Sequence, residues 1–339
     1  MTASKKQKPD VSFVMTVYNK EYYLPAVLKA LLNQTGLKNP EYIFVDDLSK
    51  DRSVEIIEEM TRGIENVTIV RKDKNEGISI SINRGIALAR GEWVRMLDSD
   101  DIFPLNSTEK MLELANKHHA DMVYGQFTKT GKEPMEIAAE MMPDDFDYSY
   151  KKDALRAVLK GRFTRMGQLI RRSVLQKAGG ADTRVFIQDE SIPLRAARFA
   201  DGIVKMYANV VLVPKETNNL SKNTNQLDND RFFAHYNLLL DYYDSMDKDT
   251  AAIIYLKALS ANWKYVKKNL EHPYWTADFF RYIKAKLFHP QPDFAFLEQL
   301  GHRFLSLSDV LRSKGTAEDG KGCGGASESA RETPGSLDD

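Results

Sequence analysis

The chain has 339 residues, 42% of them apolar and 10% aromatic, which is enough for a sizeable core and more than one ordinary domain needs. Lys+Arg and Asp+Glu cancel at 48 each, which argues against a general nucleic-acid binder. A single cysteine, Cys323, excludes an intramolecular disulfide framework and a multi-cysteine zinc site.

The polar, basic stretch Met1–Asp10 lacks the apolar segment of a secretory signal, and no run approaches the roughly 18 apolar residues of a membrane-spanning helix. The expectation is a soluble, cytoplasmic protein, at most peripheral to the inner face of a membrane.

Strand and helix patterns alternate through the first hundred residues. Val11–Val17 is an apolar, β-branched run and predicts a buried strand. Leu24, Val27, Leu28, Leu31 and Leu32 recur at helical spacing, with Pro25 tolerable in a first turn. Tyr42–Val45 reads as the second strand, and Val54, Ile57 and Met60 mark the next helix. Val67–Val70 is the third strand, Ile78, Ile82 and Ile86 stripe a helix, and Trp93–Leu97 is the fourth strand. Such alternation implies right-handed crossovers and an α/β fold with a mainly parallel, Rossmann-like sheet flanked by helices.

Beyond Pro104, Asn106-Ser107-Thr108-Glu109 resembles a helix start with a capping box. Met122–Gln126 predicts a strand, Lys129–Tyr150 has no clear period and reads as a mobile loop, and Val204–Pro214 reads as a buried strand. From Asp228 to about Arg312 the pattern is helical and aromatic; Lys314–Asp339 is rich in Gly, Ser and acids and is expected to be disordered. The expected division is therefore 1–227 for the α/β domain, 228–313 for a helical appendage and 314–339 for a tail.

The acids carry the chemical signal. Asp46-Asp47 directly follows the second strand and Asp98-Ser99-Asp100-Asp101 the fourth, so both clusters converge on the carboxyl edge where open parallel sheets bind ligands. Either cluster alone reads equally well as turn chemistry. Together, crowded carboxylates raise each other's pKa unless a cation sits among them, and their hard oxygens suit Mg²⁺ or Mn²⁺ completed by diphosphate.

Six segments then occur in order: Val11–Asn19, Val45–Asp51, Asn75-Glu76-Gly77, Asn83-Arg84-Gly85-Ile86, Gly91-Glu92-Trp93 and Leu97–Asp101. This arrangement resembles the GT-A glycosyltransferases of the large inverting family 2, and the likeness continues more weakly to near Ser221. The resemblance implies transfer of a sugar from a nucleotide diphosphate-sugar, UDP-linked, to a hydroxyl of a glycan or lipid-linked acceptor, in surface polysaccharide or glycoconjugate synthesis. It implies that Thr16, Val17 and Tyr18 cradle the base and that Asp47 accepts a hydrogen bond from it; an acceptor-only carboxylate suits a uracil N3–H. Asn75, Gly77, Asp98 and Ser99 join the donor site, with Asp98 towards the ribose. Asp100 is the implied ligand of a divalent metal, and Asp101 a second candidate. Further on, Gly179-Gly180-Ala181-Asp182 and Gln188-Asp189-Glu190 resemble the family's acidic motif, which puts the general base at Asp189 with Glu190 as fallback. Asp189 also reads as an N-cap for a helix over Ile192–Phe199.

The chain departs from the family pattern in four places. Thr16 stands where Pro is commoner. Ile82 stands where Arg is frequent, which leaves a donor contact to Arg84 or Lys74. Gln188 replaces the frequent Glu, and Lys215–Ser221 lacks an Arg-x-His pair. A GT-A scaffold without catalysis is the alternative reading. A phospho-receiver would need a Lys-Pro after a further strand, and a nucleotidyltransferase or dinucleotide dehydrogenase would need a Gly-rich loop after Val11–Val17; all are absent. His118-His119 reads as surface helix and the three Trp as core or interface aromatics. The stretch Asn262–His289 mixes Lys and Arg with aromatics. It reads either as a solvated helical face over buried aromatics or as a surface for an anionic membrane.

Overall fold

The computed structural model describes residues 8–161, 163, 166–186, 188–215 and 224–304. The tail at Lys314–Asp339 with Cys323, the stretch 305–312 and residues 216–221 lie outside the described residues. Contacts divide the chain into two compact units, Met1–Pro292 and Asp293–Asp339; in the second, 294–304 are helical.

The first unit alternates as its apolar periods require. Strands β1 (Val11–Val17), β2 (Glu41–Asp46), β3 (Val67–Arg71) and β4 (Trp93–Asp98) are separated by helices α1 (Leu24–Leu32), α2 (Ser53–Met60) and α3 (Ile78–Leu88). Pro25 lies in the first turn of α1, where its missing N–H costs no helical bond. After β4 come α4 (Ser107–His118), β5 (Met122–Lys129), β6 (Tyr148–Lys151), α5 (Ala154–Lys160), β7 (Gln168–Arg171), α6 (Arg172–Ala178), α7 (Ser191–Ala197) and β8 (Ile203–Val213). Three helices end the unit: α8 (Thr224–Tyr242), α9 (Lys248–Asn269) and α10 (Ala277–Phe288).

One eight-stranded sheet runs β3-β2-β1-β4-β7-β5-β8-β6. β1 pairs in parallel with both β2 and β4, β2 with β3, and β5 with β8; β7 and β6 run antiparallel to their neighbours. β2 and all of β1 but the half-buried Thr16 are covered, from Phe13 and Met15 to Phe44, because helices sit on both faces. Close packing also explains one glycine. A Cβ on Gly85 of α3 would lie 2.3 Å from Val14 Cγ1, so only glycine lets α3 press onto β1.

Three expectations change. The start of α4 is right but its capping box is not: Asn106 occupies the cap position without a side-chain cap bond, because its Oδ1 accepts the Met142 N–H at 2.7 Å instead. The segment read as a mobile loop, Lys129–Tyr150, holds the turn Pro134–Glu136 and contributes β6, which pairs with β8 at the sheet edge. Its period is hidden because β6 has only four residues and faces solvent. His118 is half-buried rather than a surface residue, stacked on Tyr150 with ring centroids 5.2 Å apart.

Arg95 of β4 lies wholly in the interior. Its guanidinium donates to Ser107 Oγ at 2.8 Å, Thr108 Oγ1 at 2.5 Å and the Val210 carbonyl at 3.0 Å, and stacks over Phe103. It thereby joins β4, the start of α4 and β8. These acceptors are all neutral, and burial pushes the group down to about 9. Replacing such a charge by an apolar chain of equal length is far milder than truncating it. Arg95→Ala is therefore expected to lose about 3–5 kcal/mol and Arg95→Met clearly less, read from denaturant midpoints. Equal losses would mean that the hydrogen bonds, not filled volume, hold this junction.

Candidate active site

The register of β1 assembles the carboxyl edge. Thr16 stands beside Val45 on one side and Asp98 on the other, and Val17 beside Asp46. Because β1 is flanked by β2 and β4, chain order reverses between β1 and β4, the position where open α/β sheets bind ligands.

The loops after β1 and β2 are knitted together. Asn19 donates its N–H to Ser49 Oγ at 3.0 Å and accepts the Lys50 N–H at 2.8 Å, while the Lys20 N–H reaches Ser53 Oγ at 2.8 Å. Asn19 and Leu48 both adopt left-handed backbone, at φ 51° and 68°. For Leu48 this is a costly conformation, held on the rim of the cleft by the surrounding bonds. Tyr18 projects outward and Thr16 is half-buried, so both face the edge. Val17 is different: its side chain belongs to the core and its carbonyl accepts the Asp47 N–H at 2.8 Å.

The two acids after β2 separate. Asp46 closes its own turn by accepting the Ser49 N–H at 3.1 Å. Asp47 is buried and organises the next loop: it accepts Lys72 Nζ at 2.5 Å and the N–H groups of Glu76 and Gly77, each at 2.9 Å. Lys72 is itself 1% exposed and also donates to Ser81 Oγ at 3.0 Å. Asp47 thus fixes the Asn75–Gly77 bend, where Gly77 at φ 85° starts α3. Its three donors leave the carboxylate room for one further hydrogen bond. Ile82 lies in the core, and beside this bend Lys74 and Arg84 pair with Glu76 at 3.2 and 3.9 Å, as does the buried Lys72 at 3.3 Å.

After β4, Ser99 and Asp101 are buried, whereas Asp98 and Asp100 are half-exposed. Lys20 Nζ contacts Asp100 Oδ2 at 2.5 Å. Burial alone would push the Lys20 ammonium down, but the charge and hydrogen bond of Asp100, with smaller contributions from Tyr23 and then Asp98, outweigh it and raise it above the ordinary lysine value. The acid pair therefore already draws a positive charge to itself. Among the described residues no three acids or histidines form a cage for a metal ion. Asp98 and Asp100 fit a hard divalent cation as a partial shell, of the kind that substrate phosphates complete.

The acidic segment Gly179–Glu190 is held against α3. Asn83 grips Ala181 twice, donating to its carbonyl at 2.9 Å and accepting its N–H at 2.7 Å. Ser79 Oγ donates to the Val185 carbonyl at 2.8 Å. Gln188 is buried: its amide nitrogen lies 2.5 Å from Ser79 Oγ and 2.9 and 2.5 Å from the Asp182 and Val185 carbonyls, while its oxygen accepts from Ser191 Oγ. Asp182 is held low: burial opposes its ionisation, and bonds from Arg184 and Asn237 overcome that. Arg184 and Arg195 both reach Asp241 of α8, at 2.6 and 2.7 Å.

Asp189 follows Gln188, half-buried, in the turn before α7. The cap position of α7 belongs to Glu190, not Asp189, and Glu190 is engaged by Arg231 at 2.6 Å. Sequence reasoning missed Lys20, Lys72, Asn83 and the Arg184–Asp241 link. Asn83 stood within a quoted motif and was the one with a signal; the others depend on contacts between segments 25 to 80 positions apart.

Residues 12–179 match the family model described as Glycosyl transferase family 2. A putative glycosyltransferase of Bacillus subtilis, EpsH, is 34% identical over 50% of this chain and 49% of its own length. The chain spans about half or less of the first curated relatives it matches. Among solved structures, S. aureus TarS 1-349 in complex with UDP-GlcNAc superposes with a TM-score of 0.60, 18% identity and 81% of each chain covered. The mannosyltransferase PcManGT of Pyrobaculum calidifontis, in complex with GDP-Man and Mn2+, gives 0.52 at 15% identity over 90% of this chain and 87% of its own. At such identities the likeness is one of fold, the GT-A arrangement.

The Gln188 amide makes a sharp test of how the acidic segment is held. Gln188→Glu would face two backbone carbonyls with a buried carboxylate, for an expected loss of about 2–4 kcal/mol at neutral pH that shrinks in acid as the carboxyl protonates. Its folded-state pKa is raised, so the penalty is largest above that value and fades as pH falls through it. A variant as stable as wild type at pH 7 would show that the segment rearranges freely.

Proposed function

Residues 12–179 belong to glycosyl transferase family 2, and on that premise we propose that the chain is an inverting glycosyltransferase using a UDP-sugar. The observation that supports this reading is the carboxyl edge of the parallel strands, where Thr16 pairs beside Asp98 and Asp47 and Asp100 follow directly after β2 and β4. Thr16 and Tyr18, with the Val17 backbone, flank the base. Asp47 keeps a lone pair for a uracil N3–H, which a guanine donor would use less well at a single carboxylate oxygen. Asn75, Gly77 and Ser99 shape the donor bed, and Asp98 faces the ribose.

Asp100, with Asp101 as the second candidate, would hold Mn²⁺ or Mg²⁺, which when bound supplies Lewis-acid neutralisation of the diphosphate. Lys20, already paired to Asp100, Lys74 and Arg84 are the chain's own cations at this edge. Asp189 accepts the proton of the acceptor hydroxyl as its oxygen bonds to the anomeric carbon; the bond from that carbon to the diphosphate breaks and its electron pair leaves with UDP. One base on one face implies a single in-line displacement and inversion. Glu190 suits the base role less because Arg231 holds it. The acceptor is a hydroxyl on a glycan or lipid-linked chain of a surface polysaccharide or glycoconjugate.

The donor assignment is tested by thermal shift. UDP is expected to raise the melting temperature more with Mn²⁺ than with EDTA, and Asp100→Ala to erase the difference. Equal UDP binding in EDTA would remove the metal from this reading. Catalysis is tested separately: Asp189→Asn should retain UDP binding while transfer falls by about 10²–10⁴-fold, the range for loss of a general base. Full transfer by that variant, or retention at the anomeric carbon in the wild-type product, would sink the mechanism.

A further inference from the structure

Trp275, expected among core or interface aromatics, is 85% exposed. It ends the turn Pro273–Trp275 just before α10, and it is not alone. Along α10, Phe280 is 57% exposed, Leu287 65% and Phe288 74%. With Ala277, Arg281 and Lys284, these residues recur at i, i+3, i+4, i+7, i+10 and i+11, which is one continuous helical face. The opposite face, through Asp278, Tyr282 and Ala285, is the one seated on α9. Asn262 donates to Asp278 at 2.8 Å, and Trp263 stacks on Tyr282 and packs on Phe279. α10 is therefore docked by its polar-and-aromatic inner stripe and turns a second apolar stripe outward. Single exposed apolar residues are ordinary, but a contiguous row of this size marks a contact surface.

Charge says what the surface meets. Between residues 262 and 289 there are six Lys and Arg and two acids, Glu271 and Asp278, and Asp278 is buried. Arg281 and Lys284 lie inside the apolar stripe itself, with Lys286 beside it. Lysine is depleted from the centres of protein–protein interfaces, where its desolvation is costly. At a bilayer surface the same arrangement is favourable: aromatic and aliphatic side chains enter the headgroup boundary while the long basic chains reach back to lipid phosphates.

We propose that the Trp275–Phe288 face is a peripheral docking surface for an anionic lipid bilayer. The proposal rests on this surface alone and stands or falls independently of the transferase reading. The 339-residue chain is tested by flotation with phosphatidylcholine vesicles, with and without phosphatidylglycerol, at low and high salt. Binding is expected to the anionic vesicles only and to fall steeply with salt, since the attraction is screened. A variant combining Trp275→Ser, Phe280→Ser and Phe288→Ser should lose at least about tenfold in partition coefficient. A second, Lys284→Glu with Lys286→Glu, should lose binding through charge alone. Both change exposed positions and should keep the wild-type melting temperature. No flotation on anionic vesicles at low salt, equal binding to neutral vesicles, or unchanged binding by both variants would overturn the proposal. So would a wild-type dimer in sedimentation that the serine variant converts to monomer, which would give the face to a second copy.

Discussion

The site depends on β1 being paired in parallel on both sides. That single constraint puts Thr16, Val17, Asp46 and Asp98 in one row, although they come from three strands far apart in the chain. Parallel pairing sends every connection back over a helix, so all the loops that follow these strands emerge at the same edge. The acids reach one place because the crossovers leave them nowhere else to go. The apolar interior of β1 and β2, buried on both faces of the sheet, sustains the arrangement.

On this frame the loops are held by polar bonds between side chain and backbone. Asp47 takes the N–H groups of Glu76 and Gly77 and the Lys72 ammonium, so one carboxylate both forms the bend before α3 and neutralises a buried lysine. Removing either partner of such a pair would strand a buried charge. Asn83, Ser79 and Gln188 do the equivalent for the Ala181–Gln188 segment, and Asp182 with Arg184, Arg195 and Asp241 extends the hold to α8. The half-buried Asp189 directly follows Gln188, whose buried amide lies against Ser79 of α3 and the Asp182 and Val185 carbonyls.

Lys20 on Asp100 places a protein cation where the acid pair needs one. In the same unit, the stripe on α10 puts basic groups among exposed aromatics. The first arrangement suits an anion brought by a substrate, and the second a surface that is anionic throughout. Both follow from what neighbours each cation.

Much of the fold was legible because burial imposes a period. The runs Val11–Val17, Tyr42–Val45 and Trp93–Leu97 and the stripe Ile78, Ile82, Ile86 reappear as β1, β2, β4 and α3, since strands covered on both faces and helices covered on one cannot hide their apolar pattern. The acids at two strand ends were legible for the same reason, as strand ends can be counted. Tertiary structure alone decided the rest. β7 inserts antiparallel between β4 and β5 with four residues, and β6 covers an edge with four more, both too short to show a period. Asn106 abandoned its capping role for the Met142 N–H because a distant segment arrived with an unpaired donor. Whether Asp46 or Asp47 faces the cleft bend, whether Gln188 locks the acidic segment, and whether Trp275 is inside or outside all depend on partners remote in the chain. Local composition specifies which groups need partners, but only the packed chain determines which ones they meet.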